Sequence, residues 1–187
     1  MASIRAEGFN AVARELQRIR NAQAPAIAAA VKEATRFGED LAVTEVFKRY
    51  GFRDRSYVAR HLSVSFNERT LQGRVSARYR SSTLNRFIVR RNTRTGKGGG
   101  SAVPDGITIA TIRNKPTWFR GAFTFIGRNG NELMVSRQKG DNRWRSLKGR
   151  KTLYGPSVAG SFGVIRDDIE PPIIRHLRER YRHHAKR

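Results

Sequence analysis

The chain has 187 residues and no cysteine, a length suited to one domain, and disulfides and thiolate metal sites are excluded. Its 38 Lys and Arg stand against 15 Asp and Glu, a formal net charge of +23. Such an excess opposes compaction unless a polyanion or an oppositely charged partner lies close, and a phosphate backbone is the commonest polyanion. The opening MASIRAEGFN has no apolar core of the signal-peptide kind, and no run approaches a membrane span. A cytoplasm-like compartment and no membrane contact are therefore expected.

In chain order, Phe9, Val12, Leu16 and Ile19 recur at spacings of three and four and predict an amphipathic helix over residues 8–22. Pro25 suits the first turn of a second helix, which Ile27, Val31, Ala34, Phe37 and Leu41 carry to about Tyr50. Gly51 is expected to end it in a left-handed conformation, with a kink near Gly38 and a short helical turn at Ser56–Leu62. LSVSF and LQGRVSARY alternate apolar with polar residues around a turn near Asn67–Thr70, the pattern of a hairpin. LNRFIVR reads as a strand. After it, the Gly-rich stretch Asn92–Asp105 lacks apolar periodicity and predicts a flexible basic loop.

GITIATIR, WFRGAFTFI and ELMVSRQ are further strands, the last two joined through GRNGN as an Asn-Gly two-residue turn. The final helix is expected to start at Asp167 or Asp168 as N-cap, with Pro171 and Pro172 in its first turn. Ile169, Ile173, Leu177 and Tyr181 give it an apolar stripe, and burying each contributes roughly 1.5–3 kcal/mol. Residues 178–187 read as a polar, basic tail. Helices, then strands, then one helix predict an α+β fold. Its expected form is N-terminal helices, a central mostly antiparallel twisted sheet, and a C-terminal amphipathic helix packed on it, all within one domain, 1–187.

The chemical motifs are mostly false leads. TGKGGGS resembles a phosphate loop, but Arg91 stands where the first Gly of that motif belongs and Gly98 follows Lys97. His176, His183 and His184 lack a carboxylate or thiolate at ligand spacing, and cations surround them. Asp167 and Asp168 are explained by capping, and no nucleophile, base or carboxylate pair stands out. The expectation is a non-enzyme without metal or cofactor.

The cations are densest at 86–97 and 137–151. Arg90, Arg91, Arg94 and Lys97, with Lys148, Arg150 and Lys151, are the candidate nucleic-acid contacts, and Trp144 is either a stacking platform or a packing anchor. Between the second cluster and the last helix lies the uncharged TLYGPSVAGSF. Leu153, Tyr154, Gly155, Pro156, Ser157, Val158 and Phe162 make it a candidate assembly surface, the other reading being a turn packed within the chain's own core.

In order, these pieces resemble the minor tail protein Z family of tailed bacteriophages, the tail completion proteins. The resemblance rests on Gly121, Ala122 and Phe123; on Asn129 and Gly130; on Val135 and Arg137; and on Gly155, Pro156, Ser157, Val158 and Phe162. It spans roughly residues 5–185, with the Gly-rich stretch and the basic tail as departures. The resemblance implies a virion structural protein at the head-proximal end of the tail, in the head–tail junction or neck. It further implies a homohexameric ring, assembled in the bacterial cytoplasm, that contacts the tail tube or terminator and the head–tail connector. Phage genomic DNA would pass through or near that ring. Tail terminator or neck adaptor is the neighbouring reading, and a free, sequence-independent nucleic-acid-binding protein is the alternative from another class.

Overall fold

A computed structural model describes residues 9–136 and 153–186, with side chains from residue 23 onward. Helix α1 runs Phe9–Arg49 and the short α2 Arg55–Ala59. Strands β1 (Leu62–Asn67), β2 (Gln72–Ala77), β3 (Ser82–Thr83) and β4 (Ile88–Thr95) follow. After them come β5 (Ala102–Ile109), β6 (Thr117–Phe119), β7 (Ala122–Ile126), β8 (Glu132–Ser136) and β9 (Tyr154–Gly155), then helix α3 (Val158–Ala185). The class is α+β. Among the described residues the expected single sheet is instead four small ones, ordered β1-β2, β3-β9, β4-β5-β6 and β7-β8.

Two helices are longer than the periodicity indicates. Pro25 lies inside α1 rather than opening a second helix. An interior proline costs about 3 kcal/mol, and the surrounding alanines (Ala22, Ala24, Ala26 and Ala28–Ala30) are the strongest helix formers available to offset it. Helix α3 begins at Val158, ahead of the two aspartates, because Ser157 caps it: its Oγ accepts from the Gly160 N–H at 2.9 Å. Pro171 and Pro172 are thus interior, and the basic tail is helical to Ala185.

The described residues form two compact units. The first takes α1 as far as Glu39, residues Val64–Val75 and α3 from Asp168. In it Ala30, Ala34 and Ile169 are buried, and the Phe37 and His176 rings stack with centroids 4.3 Å apart. Gly73 lets β2 reach α1, since a Cβ there would stand 1.8 Å from Thr35 Oγ1.

The second unit comprises described residues of Asp40–Ser63 and Ser76–Asp167. Its core includes Val46, Phe52, Val58, Leu84, Phe87, Ile107, Met134, Val158 and Ile165, with the Phe52 and Phe87 rings 4.6 Å apart. Gly51 ends α1 without a left-handed backbone; it is glycine because a Cβ would stand 1.8 Å from the Ala110 carbonyl oxygen. WFRGAFTFI divides into β6 and β7, which join different sheets, at Gly121 with φ 69°. The β7–β8 loop is not a two-residue turn. Gly127 and Gly130 are joined by a hydrogen bond, Gly127 N–H bonds Asn131, and only Gly130 is left-handed, so the loop is the three-residue kind.

Asn92–Asp105 is mostly ordered strand, which corrects the flexible-loop expectation. Strands β4 and β5 pair antiparallel from Ile88↔Ile109 to Thr95↔Ala102, with register shifts between Ile88 and Arg90 and between Asn92 and Thr93. Thr and Asn support this pairing without apolar alternation; Asn92 Nδ2 donates to Thr108 Oγ1 at 2.7 Å. Only residues 96–101 remain as the tip. There Gly98 and Gly99 have positive φ and open space around them.

Candidate functional site

In the second unit, strand pairing places the arginines of the first cluster on an ordered frame, where each meets a different fate. Arg91 of β4 crosses to the β7–β8 pair: Nη1 donates to Thr124 Oγ1 at 2.8 Å and Nη2 to Glu132 Oε1 at 2.7 Å. Asn85 Nδ2 reaches the other carboxylate oxygen at 3.4 Å, and Thr83 Oγ1 donates to Asn85. Burial pushes the Glu132 carboxyl up, but the hydrogen bonds from Arg91, Thr124 and Asn85 together hold it below the usual carboxylate range.

Arg94 lies 3.7 Å and Arg120 4.0 Å from Asp105 Oδ1, so Arg94 is also partly neutralised. Arg90 and Lys97 are exposed and have no ion-pair partner among the described residues. The sequence treats the four cations alike; the fold leaves two of them available to an outside anion. Lys148, Arg150, Lys151 and Trp144 lie outside the described residues.

The uncharged segment is built into the second unit's core. Met134 O accepts from Leu153 N–H at 3.2 Å, and Leu153 O accepts from Leu84 N–H at 3.0 Å. Strand β9 then pairs with β3, Ser82↔Gly155 and Thr83↔Tyr154. Val158 is fully buried and Ser157 nearly so, while Leu153, Gly155, Pro156 and Phe162 are half-buried. These side chains serve the packing of their own chain. Tyr154, 60% exposed, is the residue of the set turned outward.

The first unit places two of the histidines in structural contacts. His184 Nε2 donates to Glu33 Oε1 at 3.0 Å, Arg180 pairs with Glu33 Oε2, and His176 stacks on Phe37. Chiefly through the Arg180 hydrogen bond, against a smaller opposing effect of burial, Glu33 is held below the usual carboxylate range. Sequence reading missed this cluster because Glu33 and Arg180 lie at opposite ends of the chain, and only helix packing joins them.

No family model, curated protein or solved structure matches this chain. The fold and its geometry therefore define an α+β chain with a basic surface, and the functional reading rests on its own residues.

Proposed function

We propose that this chain is a structural component of a tailed bacteriophage, acting at the head-proximal end of the tail as part of a homohexameric ring near the genome. The observation that carries the reading is the ordered motif series from Gly121 to Phe162, similar in order to the tail completion proteins. The net charge of +23 supports a polyanionic neighbour, and the exposed Arg90 and Lys97 supply contacts that neutralise phosphates without reading bases. Exposed Tyr154, held on a strand against the core, offers an anchor for a head-to-tail contact that closes at six copies. Ring partners would be the tail tube or terminator and the head–tail connector.

Sedimentation of the purified chain tests the assembly. A species of about 127 kDa, six copies of the 21.2 kDa chain, is expected. A monomer that binds oligonucleotides tightly, alone or with purified tails, would favour the free nucleic-acid binder.

A further inference from the structure

A polar groove of about 440 Å³ opens in the second unit between α2, the β7–β8 loop and β9. Tyr57, His61, Arg80, Arg86, Asn131 and Tyr154 are among its walls. Arg86 is half-buried and lies over the Tyr57 ring, 4.6 Å from its centroid, with no carboxylate partner among the described residues. Arg80 is exposed and likewise has no ion-pair partner there. The groove's acid, Glu132, is already bonded to Arg91 and Asn85. Two cations in one concavity thus lack an anion among the described residues.

The remaining walls are fixed by contacts of their own. His61 Nδ1 donates to the Tyr57 carbonyl at 2.8 Å, which turns Nε2 away from that bond. The Tyr57 hydroxyl bonds Ser82 Oγ at 3.1 Å, so its ring is held beneath Arg86. Tyr154 stands 60% exposed at the wall, a flat apolar face with no role in the core. A planar guanidinium suits phosphate oxygens, an exposed aromatic face suits a base, and the Asn131 amide offers a donor and an acceptor to a base edge.

We propose that this groove binds one nucleotide of a single-stranded nucleic acid, its phosphate on Arg80 and Arg86 and its base against Tyr154. The site needs only the second unit and an uncovered Tyr154, so it belongs to the chain before ring closure takes up that side chain. A duplex would satisfy the arginines but would keep its bases stacked away from Tyr154.

Fluorescence anisotropy with labelled (dT)12 and a labelled duplex, on the full chain, tests this, with mass measured in the same buffer so that lost assembly is told from lost binding. Arg80→Gln is expected to weaken (dT)12 binding and flatten its salt slope by about 0.7. Tyr154→Ala should weaken (dT)12 by about five- to a hundredfold and leave the duplex unchanged. Arg86→Lys should retain most of the binding that Arg86→Gln loses. Free dTMP should displace (dT)12 better than thymidine or inorganic phosphate. The proposal is overturned if Arg80→Gln and Tyr154→Ala bind (dT)12 as the parent does. It is equally overturned if a poly-Glu peptide displaces (dT)12 as readily as a nucleotide, which would assign the groove to a protein carboxylate.

Discussion

The ring edge of Phe87 fills the space a side chain at Gly155 would need: a Cβ there would stand 2.7 Å from Phe87 Cε2. Phe87 is fully buried and packed on Phe52, so it has no room to retreat. Gly155→Ala is therefore expected to destabilise the fold by about 1–3 kcal/mol. It should appear as a lower urea midpoint at unchanged slope. Gly163 of α3 has open space around its missing Cβ, and Gly163→Ala should stabilise by about 0.5–1 kcal/mol. Opposite signs from the same substitution separate packing from helix propensity.

Val158 and Tyr154 part company in the same way. Asp at fully buried Val158 places an unpaired charge in the core and should cost several kcal/mol, enough to lose cooperative unfolding. Asp at Tyr154 should leave the melting temperature close to the parent's while preventing the 127 kDa species from forming. Sedimentation of a folded Tyr154→Asp variant decides whether this face is an assembly contact; a normal ring would remove it from consideration.

These contrasts show what the sequence could convey. The α+β class, the late strands and the first three residues of the last helix's stripe were legible, Ile169 buried and Ile173 and Leu177 half-buried, because periodicity reports burial directly, whereas Tyr181 at its end is exposed. Helix ends were less so. Ser157 outranks Asp167 as the cap because the geometry of the preceding β9 brings its hydroxyl to Gly160, and no local rule weighs that against helix-dipole preference. Apolar periodicity ends strand β4 early, since Asn92, Thr93 and Thr95 bury little, yet their backbone pairs with β5. Of the candidate site, residue types were legible and partners were not: Arg91 and Glu132 are joined only by the approach of separate sheets.

That pairing alters what a DNA-binding assay should read. Of the four candidate contacts Arg90, Arg91, Arg94 and Lys97, Arg91 and Arg94 already meet carboxylates, so Arg90 and Lys97 carry the release of counterions among them. Changing Arg90 and Lys97 to Ser should flatten the slope of log affinity against log salt on duplex DNA by about 1.8. Arg91→Ser should change that slope little and instead lower stability by about 1 kcal/mol, its partner being only partly buried. A flattened slope in Arg91→Ser with none in the double variant would reverse the assignment.

Acid should weaken both units through their low carboxylates. Glu33 and Glu132 are each held below the ordinary 4.5 in the folded chain. Their contribution is complete above pH 4.5 and is lost as pH falls through the lowered folded values. Urea midpoints measured from pH 7 to pH 3 should therefore fall faster for the parent than for Glu132→Gln or Glu33→Gln. Parallel curves would show that neither ion pair contributes to acid sensitivity.

Gold-labelled antibody against this chain, applied to any tailed particles produced by cells that carry its gene, tests the proposed role most directly. The expected result is label confined to the junction of head and tail, with tails of normal length that fail to join heads when the chain is withheld. Particles that assemble and infect without the chain, with all label in the unassembled fraction, would contradict a place in the virion.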